Sequence, residues 1–286
     1  MRNRALAVVF MGLVLLVGPT QGQDYNVPFR PQAAAGGGSG TDFTVDANML
    51  GCWVMAETAE GETEAEEDHC LAGNDNPVIW QDATAWASRT SPAGSNGMLA
   101  SDHDGTNGYY NMAHDVQFRA DDFTVGCWIV TDNKDQLVQY FGKSATDWEM
   151  SHLNGGAFSH LVGNGIENAG TSPVNGTWYH EVMRFVKSGS TEIEIFTDGL
   201  PDCDGACNTD AGPLGDNKSL GIGANEAGGQ DLDGGLMECW YADRAMTDTE
   251  ICEITLCGLD GTADGAARDS AFGAAGCQCS DIDTCC

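Results

Sequence analysis

Basic residues are scarce in this sequence. Its 286 residues include 12 Lys plus Arg against 43 Asp plus Glu, and the formal net charge is −31. Nucleic acids and anionic membrane surfaces are bound through basic patches, so we expect neither as a partner. After Val17 no apolar run is long enough to span a bilayer, so we also expect no membrane insertion of the mature chain.

Common catalytic signatures are missing as well. The six histidines form no metal-binding pair at helical spacing, and no Gly-x-Ser-x-Gly motif is present. The sequence therefore identifies no nucleophile and no histidine-bound catalytic metal.

Four segments can be distinguished along the chain. Residues 1–22 are typical of a secretory signal peptide, with basic residues near the start, an apolar stretch and a cut before Gln23. Residues 23–41 are rich in Pro, Ala and Gly and are predicted to be a flexible linker. Residues 42–258 are predicted to fold as one domain, and residues 259–286 form a Cys-rich tail. We expect a secreted protein, located outside the cell or on its surface.

The folded segment shows mainly strand patterns. Short alternating apolar runs are bounded by Gly, Asn and Asp, which favours antiparallel strands. Residues 178–186 and 192–197, joined by a Lys-Ser-Gly-Ser turn, predict a β-hairpin. The one helix signal is Thr247 three residues before Glu250, the spacing of a capping box.

Disulfides are expected throughout, because all 12 cysteines follow the predicted signal peptide. Cys203 and Cys207 are predicted to form a local disulfide, and Cys252 and Cys257 to fasten the short helix to its exit. The cysteines of the tail can pair with one another or with another chain, which would allow self-association.

Seven motifs resemble, in their order, the laminin-G-like jelly roll of the concanavalin A-like lectin/glucanase superfamily. They are Met49–Met55, Val78–Asp82, Asp104–Tyr110, Asp122–Ile129, Gly176–His180, Leu220–Ala224 and Gly235–Met246. The resemblance implies an all-β fold, a two-sheet antiparallel jelly-roll sandwich with one short C-terminal helix before the Cys-rich tail.

A recognition function is what this resemblance implies. We expect a secreted, non-catalytic module that binds a glycan or a cell-surface or matrix ligand, with possible assistance from calcium. Asp82 and Asp104 stand at two loop aspartates of the family and are the predicted metal ligands. The alternative is that each Asp only caps backbone amides of its own turn. The acidic stretch 57–68 is expected to be a solvated loop.

Enzymes share this fold, so the resemblance also raises the hypothesis of a catalytic function. Glu192 and Glu194 lie two apart on a predicted strand, as paired glycosidase carboxylates do in glucanases of the superfamily. Phe196 departs from the pattern at the next position of that face, so we expect a solvated hairpin surface and no enzyme activity. His180 is predicted to be a packed, hydrogen-bonded structural residue.

The dipeptide Cys-Trp occurs three times in predicted strands, at 52–53, 127–128 and 239–240. Strand alternation then predicts that the cysteines face the core and that Trp53, Trp128 and Trp240 face outward. With Glu238 they would form an aromatic platform for a sugar. The alternative is a second small core, in which connecting segments cover the indoles.

Two other functions are also compatible with the sequence. One is a structural surface or assembly protein that is cross-linked through its Cys-rich tail. The other is a glycoside hydrolase of the same fold.

Overall fold

The fold is taken from a computed structural model of the chain. It describes residue 271 and residues 48–259, except for 54–64, 67–77, 82–86, 96–98, 107, 113–117, 119, 145–146, 154–155, 164, 189, 206, 208–213, 215–217 and 226–227. The predicted signal peptide, the linker and nearly all of the Cys-rich tail lie outside the described residues.

Strands dominate the described chain, as the sequence predicts. There are sixteen strands and one helix in this part of the chain: β1 Met49–Trp53, β2 Ala65–Glu66, β3 Val78–Trp80, β4 Ala87–Thr90, β5 Leu99–Asp104, β6 Tyr110–Met112, β7 Phe123–Thr131, β8 Val138–Gly142, β9 Trp148–His152, β10 Phe158–Val162, β11 Gly165–Asn168, β12 Trp178–Ser188, β13 Ser190–Thr197, β14 Leu200–Pro201, β15 Leu220–Ile222, β16 Asp233–Ala242 and α1 Asp248–Cys257.

The strands form two antiparallel sheets. The first sheet has the order β14-β13-β12-β7-β16-β5-β4, and β1 pairs with the end of β16. The second sheet has the order β11-β10-β9-β8-β15-β6-β3-β2. The predicted hairpin is β12 and β13, which pair from Glu181 opposite Thr197 to Ser188 opposite Ser190. The predicted jelly-roll sandwich is therefore confirmed.

The main core lies between the sheets. Alternation places Phe123, Val125, Cys127 and Ile129 of β7 on this side, together with side chains such as Phe141, Trp148 and Tyr241. A disulfide joins Cys127 to Cys239 within this layer. A second apolar cluster covers the outer face of the first sheet, where Ile251 and Ile254 of the helix meet Trp240 and Phe196.

Helix α1 begins where the sequence predicts. Thr247 accepts a hydrogen bond from the amide of Glu250, and the Glu250 carboxylate accepts one from the amide of Thr247, at 2.7 Å. The helix ends at Gly258, whose positive φ of 71° suits a residue without a side chain. In the described part of the chain, no helix has the length and apolar character needed to cross a membrane.

Candidate functional site

The three tryptophans of the Cys-Trp dipeptides are buried. Trp53, Trp128 and Trp240 are each 0% exposed, and so is Glu238. The predicted open platform of these four residues is therefore wrong. Their indoles belong to packed clusters, as the alternative interpretation holds for Trp128 and Trp240.

Trp53 faces the opposite side of the sheet from the predicted one. Strand β1 has an irregular register between Met49 and Gly51, and beyond it Cys52 lies opposite Trp240 while Trp53 lies opposite Cys239. A one-residue slip in a strand exchanges its two faces. Trp53 consequently enters the main core, where its ring centroid lies 5.9 Å from Phe118 and 5.8 Å from Phe141.

The other two tryptophans do face outward but are covered. Trp240 fills the groove above Gly126, where a Cβ atom would come within 2.5 Å of its ring. Gly126 thus provides the space in which the Trp240 indole packs, and it does not leave the indole exposed. Trp128 belongs to a small cluster with Ala100 and Met237, and Trp178 packs against that cluster.

Glu238 occupies a bulge in β16. The pairing of β16 with β7 shifts register between Met237 and Trp240, and Glu238 has a φ of 49° there. The extra residue changes the alternation, so Met237 and Cys239 lie on opposite faces although they are two apart. The Glu238 side chain is buried at this bulge and does not border an open face.

The predicted calcium residues can be described only in part, because Asp82 lies outside the described residues. Asp104 ends β5 and uses its Oδ1 to accept hydrogen bonds from the amide and the hydroxyl of Thr106, at 2.9 and 2.8 Å. This is the turn-capping role named as its alternative. Within the described ranges, no three Asp, Glu, His or Cys side chains are arranged to hold a metal ion. The described residues alone do not fit a calcium site.

An arginine lies among the acids at this end of the first sheet. One Nη of Arg89 contacts Asp102 at 3.2 Å and Asp132 at 3.0 Å, and the other contacts Asp132 at 3.2 Å. The position of Arg89 follows from Gly235, because a Cβ at that glycine would lie 2.2 Å from the Arg89 Cδ. Arg89 therefore crosses the face of β16 to bind a carboxylate at the end of β7.

Three carboxylates, those of Asp102, Asp132 and Asp233, interact with this single guanidinium. Burial raises the pKa of Asp102, Arg89 lowers it, and the neighbouring acids Asp132, Asp233 and Asp104 raise it. For Asp233, burial and Asp132 raise the pKa, and Arg89 acts in the opposite direction. The face is negative overall, and Arg89 is the cation that keeps its acids together.

Trp178 completes this surface. It is opposite Val130 in the sheet, as Gly235 is, so Arg89 and Trp178 lie on either side of Val130 on one face. The indole Nε1 donates a hydrogen bond to the carbonyl of Thr90 at 3.2 Å, directly beside Arg89 in the chain. The partly buried indole is thereby fixed next to the arginine.

We call Arg89, Asp102, Asp132 and Trp178 the Arg89 site. The side chains of Asp102 and Asp132 are 43% and 44% exposed, and that of Arg89 is 21% exposed. Carboxylate oxygens can accept hydrogen bonds from hydroxyl groups, the guanidinium can donate them, and an indole offers an apolar ring surface with a polar edge. The chemistry suits a small polyhydroxylated ligand.

One of the paired acids of the hairpin is held by an ion pair. Glu194 is bound by Arg184, whose guanidinium also contacts Asp248 at 2.8 Å and lies 4.7 Å above the ring of Phe196. This arrangement ties β12 and β13 to the start of α1. Glu194 thus has a structural ion pair on the face where Glu192 also lies.

His180 and the described disulfides have structural positions. The Nδ1 of His180 lies 2.6 Å from the hydroxyl of Thr255, and its ring packs beside Trp128 and Trp240. A disulfide joins Cys203 to Cys207. Cys252 and Cys257 are both in disulfides, and their pairing with each other stays a prediction.

The comparisons with known proteins agree with this architecture. Residues 104–252, just over half of the chain, match the family model of a laminin-G type described as "concanavalin A-like lectin/glucanases superfamily". The chain belongs to this superfamily. No curated protein matches the chain by sequence.

Solved structures share the fold at low identity. A sialidase from Trypanosoma rangeli in complex with sialic acid is similar with a TM-score of 0.53 and 16% identity, over 74% of this chain and 33% of that one. Domain 4 of an extracellular arabinanase from Geobacillus stearothermophilus, in complex with arabinotriose, has a TM-score of 0.51 and 12% identity, over 71% of this chain and 96% of that domain. The present chain thus spans about a third of the length of the sialidase.

None of the four residues of the Arg89 site was singled out from the sequence as a binding residue. Trp178 and His180 are two residues apart on a predicted strand and therefore share a face, so strand alternation could have predicted that Trp178 faces outward. Arg89 and Asp132 are 43 residues apart, and no local pattern joins them. The scarcity of basic residues was the one signal that could have drawn attention to Arg89.

Proposed function

We propose that this protein is a secreted, non-catalytic module that recognises a glycan through the Arg89 site. The observation that carries the proposal is the fixed indole of Trp178 beside an arginine that holds two half-exposed carboxylates. Sugar rings are bound through an apolar stacking surface and directed hydrogen bonds, and the site offers both. It replaces the platform of Trp53, Trp128 and Trp240 as the proposed contact surface.

Preorganisation favours this site over other exposed polar surfaces. Asp132 is held by both Nη atoms of Arg89, at 3.0 and 3.2 Å, which fixes the carboxylate plane. Trp178 is held by its hydrogen bond and by the cluster beneath it. A ligand therefore orders few side chains on binding, which lowers the entropic cost.

The arabinanase domain supports a binding module in particular. Its matched part is nearly the whole of a separate domain, and it is in complex with arabinotriose. The sialidases are larger proteins, and only a third of the sialidase chain is similar to this one. A shared fold over that part does not imply a shared activity.

The non-catalytic part of the proposal rests on the acids. Hydrolysis of a glycoside needs one carboxyl group as acid and one as nucleophile or base. Arg184 forms an ion pair with Glu194, and Arg89 forms ion pairs with Asp102 and Asp132, so these three carboxyl groups are engaged in structural contacts. Calcium bound by Asp82 and Asp104 stays a prediction, separate from the Arg89 site.

A glycan array tests the proposal with a matched pair of variants. Asp132→Asn removes one charge and one bidentate contact from the Arg89 site, whereas Asp135→Asn removes an exposed acid that pairs with Lys134. We expect wild type and Asp135→Asn to bind the same glycans and Asp132→Asn to bind them at least about tenfold more weakly, a loss of about 1.4 kcal/mol. Equal binding by all three proteins, or binding to no glycan, would refute the proposed site.

A further inference from the structure

Two titratable side chains face each other between the sheets, away from the Arg89 site. Glu181 lies on β12 of the first sheet and His160 on β10 of the second. The His160 Nε2 and the Glu181 Oε2 are 3.6 Å apart, and both side chains are 0% exposed. This separation is beyond a normal hydrogen bond.

Neither side chain has another good hydrogen bond in the described part of the chain. Both carboxylate oxygens of Glu181 and both ring nitrogens of His160 are buried and lack a partner of normal hydrogen-bond geometry. The weaker hydrogen-bonding effects of Thr197 on Glu181 and of the Ser159 backbone on His160 are smaller than the effect of burial. Burying an ionised carboxylate without hydrogen bonds is far more costly than burying a neutral carboxylic acid. The geometry therefore disfavours a charged Glu181.

The groups around the pair come from every neighbouring strand. On the second sheet, Glu167 of β11 lies in register with His160, while Tyr140 of β8 is hydrogen-bonded to His152 of β9. On the first sheet, Glu181 is flanked in register by Cys127 of β7 and Thr197 of β13. The nearby turn adds Asp198 and Asp202, whose charges act on Glu181. No Lys or Arg among the described residues acts on the carboxyl group of Glu181.

Electrostatics agrees with this geometry. Burial raises the pKa of Glu181 well above its ordinary value, with a smaller opposing effect from Thr197 and further increases from Asp198 and Asp202. Burial lowers the pKa of His160 to about 4. At neutral pH the carboxyl group then holds the proton and the imidazole is neutral.

We propose that Glu181 and His160 form a proton-binding pair that is uncharged at neutral pH, and that uptake of a second proton at His160 in acid loosens the contact between the two sheets. The second proton creates an imidazolium that faces a neutral carboxylic acid in a dry core. Deprotonation of Glu181 in alkali would similarly leave a buried anion facing a neutral imidazole. The fold is thus most stable while the pair holds one proton.

The pair lies near a place where the edges of the sheets are joined. The amide of Gly170 donates to the carbonyl of Asp202 at 2.6 Å, and the amide of Asp204 donates to the carbonyl of Asn168 at 2.7 Å. These bonds connect the end of β11 with the segment after β14. A charge between β10 and β12 would therefore act on the contact of this edge with the rest of the sandwich.

Infrared spectroscopy tests the protonation state directly. The wild-type minus Glu181→Gln difference spectrum at pH 7 should contain the carbonyl stretch of a protonated carboxyl group. Glu194→Gln is the matched control, because Glu194 lies on the neighbouring strand and forms an ion pair with Arg184. A carboxylate signal in the Glu181→Gln difference spectrum would overturn the proposal.

Stability measurements separate a neutral pair from an ion pair. With an ion pair, either Glu181→Gln or His160→Gln would leave a lone buried charge at pH 7, and both variants would be strongly destabilised. We expect both to stay folded at pH 7. His103→Gln is a comparison variant in the same core that should cost more than His160→Gln, because the ring nitrogens of His103 lie 2.9 Å from Ser101 and 2.6 Å from the Gly108 carbonyl.

The pH dependence provides the second readout. The pKa of His160 is about 4 in the folded state, against an ordinary value of about 6.5. Acidification from pH 7 to pH 4 lowers the folding equilibrium constant, and we expect this decrease to be about a hundredfold smaller in His160→Gln than in wild type. Glu181→Gln should lose the alkaline response, and it should lose stability more steeply than wild type between pH 7 and pH 4, because the protonated Glu181 of the fold offsets part of the histidine effect in that range. An acid response that is identical in wild type and His160→Gln would contradict the proposal, and if His160→Gln fails to fold, the infrared result on Glu181→Gln still decides it.

Discussion

The indole of Trp178 donates its N–H to the carbonyl of Thr90 over a distance of 3.2 Å, which joins β12 to the end of β4. Strands β7, β16 and β5 lie between them in the sheet order. The outer face of the first sheet is therefore closed over Trp128, and the Trp178 ring becomes the aromatic surface beside Arg89. This relationship accounts for both the burial of Trp128 and the composition of the Arg89 site.

The hydrogen bond of Trp178 leads to a prediction about binding. Trp178→Phe keeps an aromatic ring but loses the N–H that fixes it beside Arg89. We expect it to weaken glycan binding by roughly tenfold, about 1.4 kcal/mol, with only a small loss of stability. Titration calorimetry with the best glycan from the array, together with thermal melting, gives both numbers. Unchanged affinity in a folded Trp178→Phe protein would exclude the indole from the site.

Gly126→Ala tests the packing of the helix-covered face. A Cβ at this position would lie 2.5 Å from the ring of Trp240, which is enclosed by the cluster under α1. We expect a loss of about 1–3 kcal/mol in the free energy of unfolding, because overpacking forces the ring or the backbone to shift. Gly156→Ala is the control, since its nearest contact would be an ordinary 3.4 Å. Equal denaturation midpoints for the two variants would refute this packing.

Thr247→Ala removes the cap of α1. The expected cost is about 1 kcal/mol, because the amide of Glu250 loses its acceptor and the reciprocal bond from the amide of Thr247 loses its geometry. Thr249→Ala, an exposed position in the same first turn, should cost much less. Urea denaturation of both variants checks this, and a Thr249→Ala loss as large as that of Thr247→Ala would count against the cap.

Acid should destabilise the protein through its buried histidines. Burial lowers the pKa of His103 to about 4, below its ordinary value, so the folded state binds fewer protons than the unfolded state between these values. Stability is therefore lost as pH falls from about 6.5 to about 4, by up to ~3 kcal/mol for this residue. Asp198, whose pKa is raised to about 6 by burial, acts in the opposite direction within this window.

Unfolding titrations in guanidinium at a series of pH values measure this slope. Three histidines, 103, 152 and 160, have lowered pKa values, whereas burial raises the pKa of Asp198, Asp102, Asp233, Glu149 and Glu181, and these acids act in the opposite direction. The contribution of His103 is therefore measured as a difference, and we expect His103→Gln to lose less stability than wild type between pH 6.5 and pH 4. The same pH slope in wild type and His103→Gln would show that the imidazole of His103 is not held neutral by the fold.

Calcium is the remaining prediction from the sequence. If Asp82 and Asp104 share an ion, millimolar calcium should raise the melting temperature by binding the native state, and Asp104→Asn should abolish the gain. Asp121→Asn, an exposed acid that pairs with Lys187, is the control. Superposed melting curves in calcium and in chelator would exclude the shared ion.

Much of the fold could be predicted from local patterns. The alternation of β7, the hairpin of β12 and β13, and the capping box at Thr247 each depend on residues that are near in sequence. The order of the motifs then identified the jelly roll. These features are encoded by period and spacing, which tertiary contacts reinforce rather than override.

The Arg89 site could not be predicted from the sequence, because it depends on features that strand alternation does not encode. The bulge at Glu238 and the irregular register at Gly51 changed which side chains share a face, so the Cys-Trp pattern gave the wrong side for Trp53. Burial of Trp128 depends on the distant Trp178, and the carboxylates around Arg89 come from three different strand ends. Such contacts arise from the sheet order, which a single strand pattern does not contain.

The most direct test of the proposed function is an NMR titration of the indole N–H signals with a glycan that the array identifies. The protein has seven tryptophans, and Trp178→Phe assigns the signal of Trp178. The account predicts that the sugar shifts the Trp178 signal, while those of the buried Trp53 and Trp240 stay in place. A sugar that shifts other signals and leaves that of Trp178 unchanged would contradict it.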